Sequence, residues 1–231
     1  MDLLTFETLL TAPYAAWLPE AALMRWAMHL SWGVVLGVAG LGLGRALRWG
    51  WRRQWALALG AILLVFLPGA ASPSYWLGLA FQAPSLTALG LCALLIWRSL
   101  RRARVAAVSA AIPIVALTTW HWRALAIAAV GLGWVLLLDM LAWWPVSVYA
   151  FGFSPVALML VSGLTLLLWL VSGASRAGRH ASLALAAVLT VFALTRLPSG
   201  NLWDALLDPW LWLVIQVAGV VALLRRRAKG K

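Results

Sequence analysis

Long apolar blocks fill most of the chain, and short arginine-rich stretches separate them. A bilayer-spanning helix needs about 20 mostly apolar residues. Seven stretches meet that requirement: 24–43, 55–71, 77–97, 124–143, 150–170, 181–195 and 209–224. The block at 181–195 is short and relies on its flanks to reach the interface. The breaker- and aromatic-rich stretch 68–84 predicts a turn that runs into a kinked third span.

One block fits less neatly. Residues 105–120 are apolar but few, with Pro113 near the middle and Thr118 and Thr119 following. Crossing fully, it would make eight spans and divide the arginine clusters between the two faces. Dipping in and returning, it leaves them together. A re-entrant segment is tolerated where protein or a wet cavity covers its backbone. The pattern therefore predicts an all-α polytopic transmembrane helical bundle of seven spans, with eight as the alternative, plus a short re-entrant or interfacial segment near 105–120.

The cations decide between these threadings. They gather as Arg45, Arg48, Arg52 and Arg53; as Arg98, Arg101, Arg102 and Arg104; as Arg176 and Arg179; and as Arg225, Arg226, Arg227, Lys229 and Lys231. All six carboxylates, Asp2, Glu7, Glu20, Asp139, Asp204 and Asp208, lie away from those clusters. Cationic loops are retained on the cytoplasmic side. Seven spans then place the N-terminus in the periplasm and the C-terminus in the cytoplasm, with Arg25 and Arg196 alone among the cations on the outer side. The whole chain, 1–231, reads as one integral membrane domain. It comprises a periplasmic amphipathic segment (1–22), the bundle (24–224) and a basic tail (225–231). Within 1–22, Leu3, Leu4, Phe6, Leu9 and Leu10 recur at near-helical spacing, which suits a helix lying on the leaflet.

Composition agrees. Hydrophobic residues make up 65% and charged residues 10% of the 231 positions, against roughly 25% charged in soluble domains. The net charge of +12 sits at span ends and not along one polar face, so it reads as topology and as attraction to anionic lipid headgroups, with no nucleic-acid partner. Of the 17 Trp, many fall at span ends, among them Trp49, Trp55, Trp97, Trp143 and Trp210, the depth that amphipathic rings favour. The first 20 residues carry acids and no Lys or Arg, unlike a secretory leader. Arginine in preference to lysine, with abundant Ala, Leu and Trp, points to a GC-rich bacterium and thus to its inner membrane.

Candidate chemistry is sparse. Gly33, Gly37, Gly40 and Gly44 recur at steps of four, three and four, forming a smooth stripe for helix packing within this subunit or against another. Arg25 and His29 extend the stripe outward. Asp139, one helical turn before Trp143, is an ionisable group near membrane depth and so a functional-site candidate. Its candidate partners at that level are Arg25, His29 and Arg196, as a helix-fixing salt bridge or as a proton- or substrate-binding site. Trp120, His121 and Trp122 read as an interfacial aromatic rim, and His180 as a further loop polar group. Cys92 lies inside a span and reads as a small buried hydrophobe. Three scattered histidines cannot supply two haem pairs, and HExxH, cysteine clusters and phosphate-binding glycine loops are lacking. No cofactor or metal is expected.

These residues predict a non-enzymatic subunit or assembly partner of a larger membrane complex, with other membrane subunits and the bilayer as partners. Two alternatives stand beside it. One is a small-solute or proton-coupled transporter component built on the outer polar cluster. The other is a membrane enzyme acting on a lipid-linked substrate, with Asp139 and His29 as its acid–base pair.

Overall fold

The computed structural model describes residues 18–104, 120–143, 145, 147–173 and 175–229. Residues 1–17 of the amphipathic segment and 105–119 of the re-entrant block lie outside the described residues, while 21–22 and 120 already belong to helices. Every regular element within them is helical. In chain order these are α1 (Ala21–Ala46), α2 (Trp51–Leu64), a 3-10 turn (Gly69–Ala71), α3 (Pro73–Phe81), α4 (Leu86–Arg104) and α5 (Trp120–Met140). There follow α6 (Val148–Phe151), α7 (Pro155–Ser172), α8 (Arg176–Thr195), α9 (Leu202–Leu206) and α10 (Pro209–Lys229). By length and composition α1, α5, α7 and α8 can cross a membrane, and α10 contributes the shorter apolar stretch Pro209–Arg225.

Three expected spans begin or end elsewhere than hydropathy predicts. The second stops at Leu64, not near residue 71. Its 14 residues extend only about 21 Å at about 1.5 Å each, short of a hydrocarbon core of about 30 Å. The third is broken outright into α3 and α4. Gln82 takes a left-handed φ of 60°, and Pro84, which has no N–H to donate, bars a continuous helix. The fifth is split by Gly152–Ser154, and Pro155 starts α7 with Ser154 as its cap (Val156 N donates to Ser154 Oγ, 3.1 Å). Hydropathy averages over all three breaks because the loop residues are themselves apolar or small. The eighth helix corrects in the other direction. Ser175 caps it, so the helix starts inside the arginine cluster and reaches 20 residues.

Contacts fix the helix directions. Arg45 Nη2 donates to Ser99 Oγ at 2.8 Å, which brings the C-terminal ends of α1 and α4 together. Asp208 accepts from Ser85, which joins the starts of α4 and α10. His121 at the start of α5 packs against Gly178 at the start of α8, where Ser172 closes α7. The longer helices therefore alternate, and the helix ends bearing the four arginine clusters gather at one end of the bundle. Breaks and short helices collect at the opposite, arginine-poor end. The core is small. Leu86, Ala157, Leu189, Phe192, Leu202, Trp203 and Ala205 form its centre between α4, α7, α8 and α9. The long helices turn large apolar side chains outward, such as Leu63, Ile127 and Leu194, as a bundle solvated by lipid requires.

The glycine stripe packs α1 on α2. A Cβ on Gly37 would lie 2.9 Å from Ile62 Cδ1, and one on Gly40 3.2 Å from Ala58 Cα. At Gly44 it would meet Gln54 Cα at 3.1 Å, and at Gly33 the Val65 side chain at 3.2 Å. Within the chain, all four stripe positions face α2 and its C-terminal cap Val65. At Gly40 all three nearest neighbours are backbone atoms, which cannot rotate away. Gly40→Leu should lower stability by about 1–3 kcal/mol, as overpacked cores do. Gly42→Leu, whose Cβ meets nothing within 4 Å, should be near neutral; thermal unfolding in detergent compares the two.

Candidate functional site

At the arginine-poor end the chain leaves helical geometry repeatedly, and each departure frees backbone N–H groups. Asp208 and Asp139 accept from several of them, and Asp204 accepts from neighbouring hydroxyls. Asp208, 9% exposed, precedes Pro209 at the first helical position of α10, an N-cap followed by proline. Its Oδ1 accepts from Leu211 N at 2.8 Å. Its Oδ2 accepts from Ser85 N at 2.9 Å and Ser85 Oγ at 2.6 Å. One carboxylate thus serves the first turns of two helices, where the helix dipole also favours negative charge. Ser85 Oγ in turn accepts from Ala88 N at 3.1 Å, and Trp32 Nε1 donates to Gln82 O at 2.9 Å. The break between α3 and α4 is therefore tied to both α1 and α10.

Asp139 does the same for α6. Its Oδ1 accepts from Val148 N at 3.0 Å, and its Oδ2 from Tyr149 N at 2.7 Å and Ser147 Oγ at 3.0 Å. Asp204 accepts from Tyr149 Oη at 2.8 Å and from Ser199 Oγ. Burial, reinforced by the hydrogen bond to Asp204, pushes the Tyr149 phenol above its ordinary range. Asn201, fully buried, donates Nδ2–H to Tyr149 O at 2.9 Å and accepts from Trp203 N at 2.9 Å. Trp203 Nε1 donates to Val148 O at 2.9 Å. Gly152 is required where these meet, since a Cβ there would collide with Asn201 Oδ1 and lie 2.5 Å from Trp203 Cδ1.

The four residues expected to cluster have different partners. Asp139 is engaged by residues 147–149. His29 Nδ1 lies 2.9 Å from Val65 O and 2.6 Å from Ser74 Oγ, and Ser72 Oγ donates to the same carbonyl at 2.7 Å. That histidine pins the return loop after α2. Arg196 caps α8 in a left-handed conformation, its guanidinium 5.3 Å from the centre of the Phe192 ring. Arg25 is exposed. At the arginine-rich end the expected rim is also divided. Trp120 is exposed and Trp122 half-buried, whereas His121 is 2% exposed and stacks on Trp120 at 3.8 Å. Neither ring nitrogen of His121 has a hydrogen-bond partner among the described residues.

Sequence reasoning passed over Asp204, Asp208, Asn201 and Ser85. The signals were local: Asp208 before Pro209, and Ser85 after Pro84 at the start of an apolar run, are helix-start patterns. Among the described residues no group of three or more His, Cys, Asp or Glu could hold a metal ion. Chemically the layer is an acceptor network that saturates loop donors. Comparison with known proteins supplies no analogy: no family model, curated protein or solved structure matches the chain.

Asp208→Ala leaves the buried Ser85 N–H and the part-buried Leu211 N–H without acceptors. It should cost about 2–3 kcal/mol, in line with hydrogen bonds to charged groups. Asp208→Asn, which keeps an acceptor, should cost less. Denaturant unfolding in detergent, followed by tryptophan fluorescence, measures both.

Proposed function

We propose that this chain is an integral protein of a bacterial inner membrane, crossing seven times with its arginine clusters in the cytoplasm. We further propose that it acts as a non-enzymatic subunit or assembly partner of a larger membrane complex. The observation that carries this reading is the employment of the polar groups at the arginine-poor end. Asp139, Asp204 and Asp208 each hold hydrogen-bond donors of connecting loops, and His29 holds another loop. Equipment of this kind builds a scaffold.

The bundle also has surface for partners. None of the most apolar 18-residue window of α5 is buried, against 39% for α1. In lipid, helices associate by close packing and not by escape from water, so a helix with so little packing inside its own chain has faces available to neighbouring subunits.

Transport would draw on the broken helix at 82–85, since discontinuous helices commonly form such sites. Here Asp208 closes the break by capping both helix starts. A lipid-directed enzyme would draw on Asp139 and His29, which are occupied by different loops. Scaffolding accounts for all of these side chains together.

Solubilised in mild detergent from its native membrane, the protein should co-purify with other membrane proteins in fixed ratio. A native mass equal to one copy of the chain, obtained under conditions that preserve other complexes of the same membrane, would remove the subunit reading.

A further inference from the structure

Between α7 and α8 runs a groove of about 500 Å³, within the roughly 300–1,000 Å³ of ligand pockets. Its walls include Leu158, Thr165, Trp169, Ser182, Ala186 and Thr190. The hydroxyls give a misleading impression of polarity. Thr165 donates to Val161 O at 2.7 Å, Ser182 to Gly178 O at 3.0 Å and Thr190 to Ala186 O at 2.8 Å. Each of these three is satisfied by the carbonyl one turn back in its own helix, so apart from the exposed Ser162 the wall offers a guest mainly apolar contact.

The groove has a charged mouth. α7 and α8 are antiparallel around Gly173–Ser175, so Trp169 and Ser182 lie toward the arginine-rich end and Leu158 toward the other. On α8 the stripe 190, 186, 183 continues at helical steps to Arg179 and Arg176, both exposed. Two cations in the first turn of a 20-residue helix thus stand above an apolar slot, and Trp169 flanks it at 39% exposure. An apolar groove between two antiparallel helices, with two exposed arginines on the same helix stripe beyond its end, matches one chemical class: a lipid with an anionic phosphate headgroup.

We propose that the α7–α8 groove is a binding site for one anionic phospholipid. An acyl chain lies along Thr165, Ala186 and Thr190, and the phosphate is held by Arg176 and Arg179. The inference rests on the bilayer-spanning reading and is independent of the subunit role.

Native mass spectrometry of the delipidated, detergent-solubilised chain tests it, with phosphatidylglycerol and phosphatidylcholine of identical acyl chains as probes. One phosphatidylglycerol should bind at about thirtyfold lower concentration than phosphatidylcholine, from about 1 kcal/mol for each of the two basic residues. The double variant Arg176→Gln/Arg179→Gln should erase that preference, whereas Arg52→Gln/Arg53→Gln, which alters a cluster away from the groove, should preserve it. Ala186→Phe fills the middle of the groove and should weaken both lipids. Ala193→Trp, at an exposed position on its wall, provides the same test should Ala186→Phe fail to fold. Equal binding of the two lipids would overturn the proposal, as would equal losses in the two arginine pairs or unchanged binding in the groove-filled variants. A dimer mass that disappears on filling the groove, with lipid selectivity unchanged, would assign the groove to a second copy and overturn it too. A chain that co-purifies with partners yet fails these lipid tests loses only the lipid site.

Discussion

A backbone N–H or C=O without a partner is costly in apolar surroundings, and this chain breaks its helices in such surroundings at several points. Everything at the arginine-poor end follows from how those breaks are satisfied. Carboxylates are well suited to the task because each offers two oxygens and full negative charge to helix starts. Asp208 spans two helices, Asp139 holds the start of α6, and Asp204 holds Tyr149. Uncharged Asn201 and His29 complete the layer. Few acidic residues exist in the chain, and of the six two accept from freed backbone N–H groups and a third from neighbouring hydroxyls.

The same constraint shapes the rest of the bundle. Loop chemistry concentrated at one end leaves the long helices free to be apolar on almost every face, with contact between α1 and α2 obtained by omitting side chains at Gly33, Gly37, Gly40 and Gly44. At the opposite end, the connection 47–50 is short and bordered by Arg45 and Arg52, and Arg176 opens the helix that Ser175 caps. Arg48 (φ 56°) turns the chain between α1 and α2, with Trp49 N donating to Gly44 O at 2.9 Å. The two ends thus differ in chemistry. One is neutralised internally by hydrogen bonds, and the other presents guanidinium groups outward for water and headgroups.

Much of this was legible in the sequence. Helical class, the location of the long helices and the α1 stripe follow from apolar runs and glycine spacing, which report directly on helix surfaces. The breaks at 65–72, 82–85 and 152–154 were muted because a hydropathy window averages Ala, Gly, Phe and Leu in loops with those in helices. The partners of Asp139 were illegible for a different reason. Depth along a helix can be estimated from sequence, but the direction in which a side chain points cannot, and Asp139 turns to the loop eight to ten residues ahead of it. Asp204 and Asp208 fell between the expected spans and stood out in the sequence only for lying away from the arginine clusters. Only the fold shows that they lie against the starts of α4 and α6.

The claim on which this account stands is that the two chemically distinct ends lie on opposite faces of one bilayer. Impermeant maleimide labelling of single cysteines tests it in intact and permeabilised cells, in a Cys92→Ser background. Cysteine at Ala70 or Trp76, both exposed at the arginine-poor end, should label in intact cells, while cysteine at Arg52, Arg98 or Arg179 should label only after permeabilisation. Labelling of position 52 and position 98 from opposite sides would contradict the account.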